Sequence, residues 1–135
     1  MKEITIEAIT DNLDDVIAFV SGELENFGCS VKLQMQIELS VEEIFVNIAH
    51  YAYTQEVGMA TICVDIDSEN MMSLTFTDRG VPYDPLKKPD PDITLSAEDR
   101  QIGGLGIFMV KKYMDDVIYE YKDGQNVLTL KKKIV

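Results

Sequence analysis

The spacing of apolar residues changes along the first half of the chain. Residues 4–8 alternate between apolar and polar side chains, which predicts an opening strand. Apolar residues then recur at helical spacing as far as Gly28, and Asp11 or Asn12 is placed to cap the start of that helix. A second, longer helix is predicted for residues 30–53, because apolar residues again return every three or four positions.

The second half of the chain returns to the alternating pattern of strands. Period-two spacing predicts strands at residues 60–67, 73–77, 117–122 and 127–134. The dipeptide Asp123-Gly124 separates the last two strands and favours a type I′ hairpin turn, which requires positive φ angles. An apolar run that begins in a glycine-rich sequence near residue 103 predicts a third helix as far as about Met114.

A long loop separates the middle pair of strands from the glycine-rich helix. All four prolines of the chain, at positions 82, 85, 89 and 91, fall within it, and proline lacks the backbone donor that helices and strands use. Loops of more than about 12 residues in a compact domain are usually functional lids or disordered insertions. We therefore predict a lid over a ligand at about residues 81–102, with a ligand-free insertion as the alternative.

Length and charge narrow the class of protein. With 135 residues and 46% hydrophobic content, the chain is expected to form one domain over residues 1–135. A formal net charge of -12 repels polyanions, so nucleic acid is not expected as a partner. Acidic and hydroxyl groups interrupt the N-terminal residues, where a signal peptide needs an uninterrupted apolar stretch. No run approaches the roughly 18 apolar residues of a membrane span. We expect a cytoplasmic protein that does not associate with membranes.

The sequence Gly103-Gly104-Leu105-Gly106 lies at the start of the predicted third helix. A helix N-terminus has free N–H groups and the positive end of the helix dipole, and residues without a Cβ atom let an anion approach the backbone. The motif is therefore a candidate phosphate site. A tight turn without a ligand is the alternative, because short glycine motifs often serve only to turn the chain.

Glu43 and Asn47 lie four residues apart on the second helix, so their side chains share one face within an otherwise apolar sequence. A carboxylate and an amide in such a place need partners. An amide oxygen, waters and phosphate oxygens together make an ordinary Mg²⁺ site, and Glu43 could accept the proton of an attacking hydroxyl or water. The alternative is an exposed Glu43 with an asparagine tolerated at the helix boundary.

Asp78 has the same strand parity as Leu74 and Phe76, so its carboxylate is expected on the covered face of the sheet, at a strand end. An acidic group there needs a donor, which the exocyclic amine of adenine could supply. Gly80 would let a flat ring lie close to the backbone. The alternative is that Asp78 caps its own turn through the backbone.

These three motifs occur in an order that resembles one ATPase superfamily. The segments are Glu43-Ile44-Phe45-Val46-Asn47, Asp78-Arg79-Gly80-Val81-Pro82 and Gly103-Gly104-Leu105-Gly106-Ile107-Phe108. They look like the N, G1 and G2 boxes of the gyrase, heat-shock chaperone, histidine kinase and mismatch-repair (GHKL, or Bergerat) ATPases. Within that superfamily, the sequence Pro82-Tyr83-Asp84-Pro85 and the helix end Lys112-Tyr113-Met114-Asp115 resemble the bacterial anti-sigma-factor serine/threonine kinases.

The resemblance implies an α/β (α+β) two-layer sandwich. Helices would cover one face of a mixed, mostly antiparallel sheet, and Mg·ATP would bind between the helical layer and the lid. Glu43 matches the general base of the family, Asn47 its Mg²⁺ ligand, and Asp78 and Gly80 the residues at the adenine. The residues implied to surround the phosphates are Gly103, Gly104, Leu105 and Gly106.

Two positions depart from the family pattern. Many of these kinases have an arginine near the glycine box, whereas this chain has Ile102 there and Arg100 two residues earlier. Arg100 is the cation we expect to reach the terminal phosphate through the lid. Asn126 or Val127 takes the place of a threonine often found near the adenine, and Asn126 could donate and accept hydrogen bonds there.

The resemblance also implies what the protein acts on. In the family, a phosphoryl group passes from ATP to a serine of a small anti-anti-sigma (STAS-type) partner, and the kinase, usually a homodimer, otherwise sequesters a sigma factor. We therefore expect a homodimeric serine/threonine kinase with these partners. Because Ile102 stands where an arginine is common, the alternative is a partner-switching module that binds nucleotide without transferring phosphate.

Overall fold

A computed structural model of the protein describes residues 1–87 and 104–135. The helices and strands of this part, in chain order, are β1 Lys2–Glu7, α1 Leu13–Phe27, α2 Val31–Tyr51, β2 Met59–Ile66, β3 Met71–Asp78, α3 Gly104–Tyr113, β4 Asp116–Lys122 and β5 Gln125–Lys133. Short 3-10 turns lie at Thr10–Asn12 and Pro85–Lys87. Every element predicted from apolar spacing is present, with bounds displaced by a few residues at most.

The five strands form one sheet in the order β1-β2-β3-β5-β4. The resemblance implied a mixed, mostly antiparallel sheet, and every pairing among the described strands is antiparallel. β5 enters the sheet between β3 and β4, so the last strand of the chain lies beside the central one. This order places Asp78 directly opposite Asn126 in the register of β3 with β5.

The helices cover one face of the sheet and enclose the apolar core between the two layers, which confirms the expected α+β sandwich. Alternate strand residues are buried, as in β3, where Met72, Leu74 and Phe76 are each at most 1% exposed. The helices contribute to the same core the residues Val16, Val20, Leu24, Ile37, Val41, Ile44, Phe45, Ile48, Ile107 and Val110. Within the described part of the chain, none of these helices is long and apolar enough to cross a lipid bilayer.

Most element ends follow the turn chemistry of the sequence. Gly28 ends α1 with a φ of 89°, a left-handed conformation that glycine adopts without strain. The Ser30 hydroxyl caps α2 by accepting a hydrogen bond from the Leu33 N–H at 3.3 Å. Asp123 and Gly124 both have positive φ angles, 55° and 76°, as the predicted hairpin turn requires.

The start of α1 differs from the prediction. Asn12 occupies the N-cap position, but its side chain makes no capping hydrogen bond. Its Nδ2 instead donates to the Glu7 carbonyl at 3.0 Å. The asparagine therefore ties the start of α1 to the end of β1 and does not satisfy the free N–H groups of the helix.

Candidate functional site

The α2 helix carries the first predicted pair, Glu43 and Asn47, on a half-buried face. The neighbouring residues Ile44, Phe45 and Ile48 are buried, and Asn47 Nδ2 donates a hydrogen bond to Glu43 Oε1 at 3.3 Å. Glu43 is half-buried, so the alternative of an exposed side chain is wrong. Because the amide nitrogen of Asn47 is directed to Glu43, its amide oxygen is the atom left to bind a cation or a ligand.

The first turn of α3 lies against Glu43. A Cβ atom at Gly106 would overlap the Glu43 carboxylate, so glycine is what allows this close approach. The first turn of a helix has N–H groups without intrahelical partners and carries a positive partial charge. The structure thus places the third sequence motif beside the first one.

Part of the third motif lies outside the described residues. Gly104 is the first residue of α3, whereas Arg100 and Gly103 fall in residues 88–103, which the structure does not describe. The side chain of Leu105 is likewise outside the description. Of the lid predicted at about residues 81–102, only residues 81–87 are described. The roles of Arg100, Gly103 and Leu105 therefore stay predictions.

Asp78 ends β3 with its side chain on the covered face, as its strand parity predicts. It is 5% exposed, and its Oδ1 accepts hydrogen bonds from the Gly80 N–H and from Asn126 Nδ2, each at 2.9 Å. Burial raises the pKa of Asp78 above its ordinary value of 3.8, and these two hydrogen bonds oppose that rise. The turn-capping alternative is present too, but it occupies Oδ1 alone.

Gly80 brings the chain close to the end of α2. A Cβ atom at Gly80 would overlap the backbone carbonyl of Ala52, and the N–H of the next residue, Val81, donates to that same oxygen at 2.8 Å. The sequence prediction assigned this glycine to contact with a flat ring. The structure adds a second requirement for glycine, which is the packing of the segment after β3 against α2.

Asn126 connects Asp78 with the segment after β3 and with β4. Its Nδ2 donates to Asp78 Oδ1 at 2.9 Å and to the Val81 carbonyl at 2.8 Å. Its Oδ1 accepts from the Tyr83 N–H at 3.1 Å and from the Tyr119 hydroxyl at 2.5 Å. An asparagine amide has two donor hydrogens and two acceptor positions, so protein groups fill all four.

Asn47, Asp78 and Asn126 line one cavity between α2 and the sheet. Its other lining residues are mostly apolar or aromatic, namely Ile44, Ile48, Ala52, Phe76, Tyr83, Pro85, Tyr119 and Leu128. Val127, the alternative to Asn126, belongs to the opposite face of β5 because strand side chains alternate. A few polar groups that converge in an apolar cavity are typical of a small-molecule site.

The cavity is small. It encloses about 30 Å³, which is room for about two water molecules. Tyr83 and Pro85, from the segment after β3, contribute to its wall, and the Tyr83 ring stacks on the half-exposed Tyr51 of α2 with ring centroids 5.4 Å apart. The enclosed space is therefore smaller than a purine base, and this segment forms the part of its wall that lies outside α2 and the sheet.

The sequence analysis did not assign two aromatic residues of the cavity, Tyr119 and Tyr83, to the site. Tyr119 shares its strand parity with Val117, so the alternation along β4 could have placed it on the covered face. Burial raises the pKa of Tyr119 above its ordinary value of 10.0, which keeps the hydroxyl protonated and able to donate to Asn126. Tyr83 lies in a proline-containing segment, where no periodicity predicts the direction of a side chain.

Comparisons with known proteins match the chain to one family and to named kinases. A family model described as a histidine kinase-like ATPase domain matches residues 6–132. The serine/threonine-protein kinase BtrW of Bordetella bronchiseptica is 31% identical over 101 residues, which are 75% of this chain and 71% of BtrW. The serine-protein kinase RsbW of Bacillus thuringiensis is 29% identical over 99 residues, which are 70% of this chain and 61% of RsbW. The alignment therefore spans less than two thirds of the RsbW sequence.

A solved structure has the same fold. It contains the RsbU and RsbW domains of Rv1364c from Mycobacterium tuberculosis and superposes with a TM-score of 0.68. The superposition covers 99% of this chain and 33% of that chain, at 14% sequence identity. At that identity the likeness shows the fold alone, and it agrees with the two-layer arrangement described above.

Proposed function

The chain belongs to the histidine kinase-like ATPase family, and from this premise we propose that it is an ATP-dependent serine/threonine protein kinase of the anti-sigma-factor type. The observation that carries the proposal is the meeting of three sequence motifs at one place. Asn47 and Asp78 line one cavity. Glu43 accepts a hydrogen bond from Asn47 and lies against Gly106. The names of BtrW and RsbW as protein kinases support the same activity.

In this proposal the base of ATP binds at Asp78 and the phosphates lie toward α3. The exocyclic amine of adenine donates to Asp78, and Gly80 lies beside the ring. The N–H groups at the start of α3 suit the phosphates, because the first turn of a helix has donors without intrahelical partners and carries the positive end of the helix dipole. The residues proposed to contact the phosphates are Arg100, Gly103, Gly104, Leu105 and Gly106.

Asn47 is proposed to bind the Mg²⁺ ion that accompanies ATP. Its amide nitrogen is bonded to Glu43, which leaves an oxygen, the kind of ligand that Mg²⁺ prefers. Phosphate oxygens and waters would complete the coordination, as is usual for Mg²⁺ in nucleotide sites. When bound, the ion would offset the negative charge of the transferring phosphoryl group.

Glu43 is proposed as the general base. The hydroxyl oxygen of the acceptor serine attacks the γ-phosphorus, its proton passes to the Glu43 carboxylate, and the bond to the β-phosphate oxygen breaks to release ADP. The hydrogen bond from Asn47 holds the carboxylate in position. The adjacent first turn of α3 supplies donors near the charge that develops in the transition state.

The proposed acceptor is a serine of a small anti-anti-sigma (STAS-type) protein, and the proposed second partner is a sigma factor. The resemblance of Pro82-Tyr83-Asp84-Pro85 and Lys112-Tyr113-Met114-Asp115 to the anti-sigma-factor kinases supports both partners and a homodimer. A cytoplasmic location belongs to the same proposal. The family match over residues 6–132 supports a single domain over residues 1–135. Nothing in this proposal requires nucleic acid or a membrane.

The proposal is tested by phosphoryl transfer from γ-labelled ATP to candidate anti-anti-sigma proteins. Wild type should label a serine, and Glu43→Gln should bind ATP but lose labelling by a factor of roughly 100 or more. Glu42→Gln, a change at the exposed neighbouring residue on α2, is the matched control and should keep the labelling.

Two other outcomes would change the conclusion. ATP binding without labelling of any partner would favour the alternative, a nucleotide-binding partner-switching module, for which Ile102 near the glycine box is the supporting feature. If neither ATP nor ADP raises the Tm in magnesium buffer, the nucleotide site itself is wrong.

A further inference from the structure

The hydrogen bonds of Asn126 leave its amide no free position for a ligand. They reach Asp78 on β3, the backbone of Val81 and Tyr83, and the hydroxyl of Tyr119 on β4. The residue is 6% exposed. A direct contact between Asn126 and a bound base, as expected from the sequence, would therefore require one of these bonds to break.

The same bonds fix which end of the amide faces Asp78. The Asn126 oxygen is held by two donors, the Tyr83 N–H and the Tyr119 hydroxyl. A flip of the amide would place its nitrogen against these two donors and its oxygen against Asp78. The Asn126 nitrogen is therefore the group that meets the carboxylate.

The two oxygens of Asp78 consequently differ. Oδ1 accepts hydrogen bonds from Asn126 and from the Gly80 N–H. Oδ2 accepts none from residues 1–87 and 104–135. Because Asp78 lines the cavity, Oδ2 is the oxygen that can accept a hydrogen bond from a ligand, and a carboxylate oxygen accepts but does not donate.

We propose that Asn126 is a positioning residue for nucleotide choice, which keeps Asp78 ionised and oriented so that Oδ2 accepts from the exocyclic amine of adenine and rejects the oxygen that guanine carries there. This inference rests on the proposed nucleotide site and adds how that site separates ATP from GTP. Tyr119 supports the arrangement by holding the Asn126 oxygen.

The surroundings of Asp78 give the Asn126 bond its importance. Among the described residues that line the cavity, the other titratable groups are Tyr83 and Tyr119, and neither α2 nor β5 contributes one. Burial raises the pKa of Asp78, and the Asn126 hydrogen bond is the largest influence that lowers it. Without that bond Asp78 would keep its proton to higher pH, and a protonated carboxyl group can donate to the oxygen of guanine.

The test compares the ATP and GTP affinities of the full chain across pH. In Asn126→Asp an oxygen replaces the donor toward Asp78, so two carboxyl groups share a proton and titrate as a pair. We expect the preference for ATP over GTP to fall about tenfold, and the pH at which ATP binding is half lost to rise by about one unit. Asn26→Asp, the same change on the exposed surface of α1, should leave both values unchanged.

A merely structural role would give a different result. Weaker ATP binding and lower stability in Asn126→Asp, with the ATP to GTP ratio and the pH midpoint of wild type, would overturn the proposal. If wild type binds neither nucleotide, the proposed function fails, and that outcome is separate from any effect of Asn126.

A measurement on wild type covers the case in which Asn126→Asp does not fold. The side-chain amide resonances of Asn126 in NMR spectra should shift as Asp78 titrates in the nucleotide-free protein, because the two groups share a hydrogen bond. The resonances of the Asn26 side chain are the internal control. Asn126 resonances that do not follow the titration of Asp78 would overturn the proposal even if ATP binds.

Discussion

The ionised carboxylate of Asp78, which is proposed to bind adenine, lowers the stability of the nucleotide-free protein. Burial raises its pKa above the ordinary value of 3.8, so the folded protein holds this proton more tightly than the unfolded chain does. Above the raised pKa, the charged form therefore costs stability. As the pH falls through the raised pKa toward 3.8, the folded state gains the proton first and this cost disappears.

Asp78→Asn should accordingly raise the Tm of the nucleotide-free protein at neutral pH, with a gain that shrinks as the pH falls through the raised pKa. The new oxygen can still accept from Gly80 and Asn126, but a donor replaces Oδ2, so ATP affinity should fall about tenfold or more. Thermal unfolding across pH, with and without ATP, measures both effects. Asp14→Asn, at an exposed residue of α1, is the control. A Tm below wild type at every pH would contradict this account.

The first turn of α3 lies so close to Glu43 that only glycine fits at position 106. A Cβ atom there would overlap the Glu43 carboxylate. Gly106→Ala should displace Glu43 and slow phosphoryl transfer by roughly tenfold or more. Gly22→Ala on α1 is the matched control, because a Cβ atom at Gly22 meets nothing within 4 Å. It should gain about 1 kcal/mol of stability and keep the transfer rate. Equal rates of phosphoryl transfer in both variants would show that the role of Glu43 does not depend on its close contact with Gly106.

The individual elements could be predicted because each one buries a single face. Apolar residues therefore recur along the sequence at the spacing of the buried face. The alternation through Leu74 and Phe76 correctly placed Asp78 on the covered face of the sheet. Turn chemistry predicted the ends at Gly28 and at the hairpin of Asp123, because both positions need left-handed backbone angles. The predicted Asn12 cap is absent because the side chain is directed to the end of β1, where its Nδ2 donates to the Glu7 carbonyl.

The neighbours of each strand could not be predicted in the same way. The insertion of β5 between β3 and β4 is a pairing between distant parts of the chain, and no local spacing encodes it. That pairing is what brings Asn126 opposite Asp78. The sequence singled out Asn47 and Asp78, which line the same cavity, while their roles toward a ligand stay predictions. It also assigned Asn126 to the ligand, whereas the hydrogen bonds of Asn126 are all made within the protein.

Gly80→Ala tests the junction between α2 and the segment after β3. The added Cβ atom would overlap the Ala52 carbonyl, which is backbone and cannot rotate away. We expect a loss of about 1–3 kcal/mol in the free energy of unfolding and faster hydrogen exchange of the Val81 N–H, which is bonded to that carbonyl. Urea unfolding and amide exchange measure the two effects. Wild-type stability would show that the end of α2 shifts without cost.

At the scale of the molecule, the proposed ligand contacts both layers of the sandwich. Asp78 belongs to the sheet, whereas Asn47 and Gly106 belong to the helices α2 and α3. The cavity of about 30 Å³ is too small for a purine. Tyr83 and Pro85 form part of its wall, so we expect binding to reposition the segment that carries them. Part of the binding energy would then go into this movement.

Mg·ATP should consequently stabilise the whole domain in a way that depends on Asn47. At a ligand concentration of about 100 times Kd, mass action predicts a gain of about 2.7 kcal/mol in the free energy of unfolding. Asn47→Ala removes the proposed magnesium ligand, so ATP should stabilise this variant equally with magnesium or with a chelator. Asn26→Ala, at an exposed position on α1, should keep the magnesium dependence of wild type. Thermal unfolding of wild type and of both variants, with ATP and either magnesium or a chelator, measures these effects. Wild-type magnesium dependence in Asn47→Ala would show that another residue binds the ion.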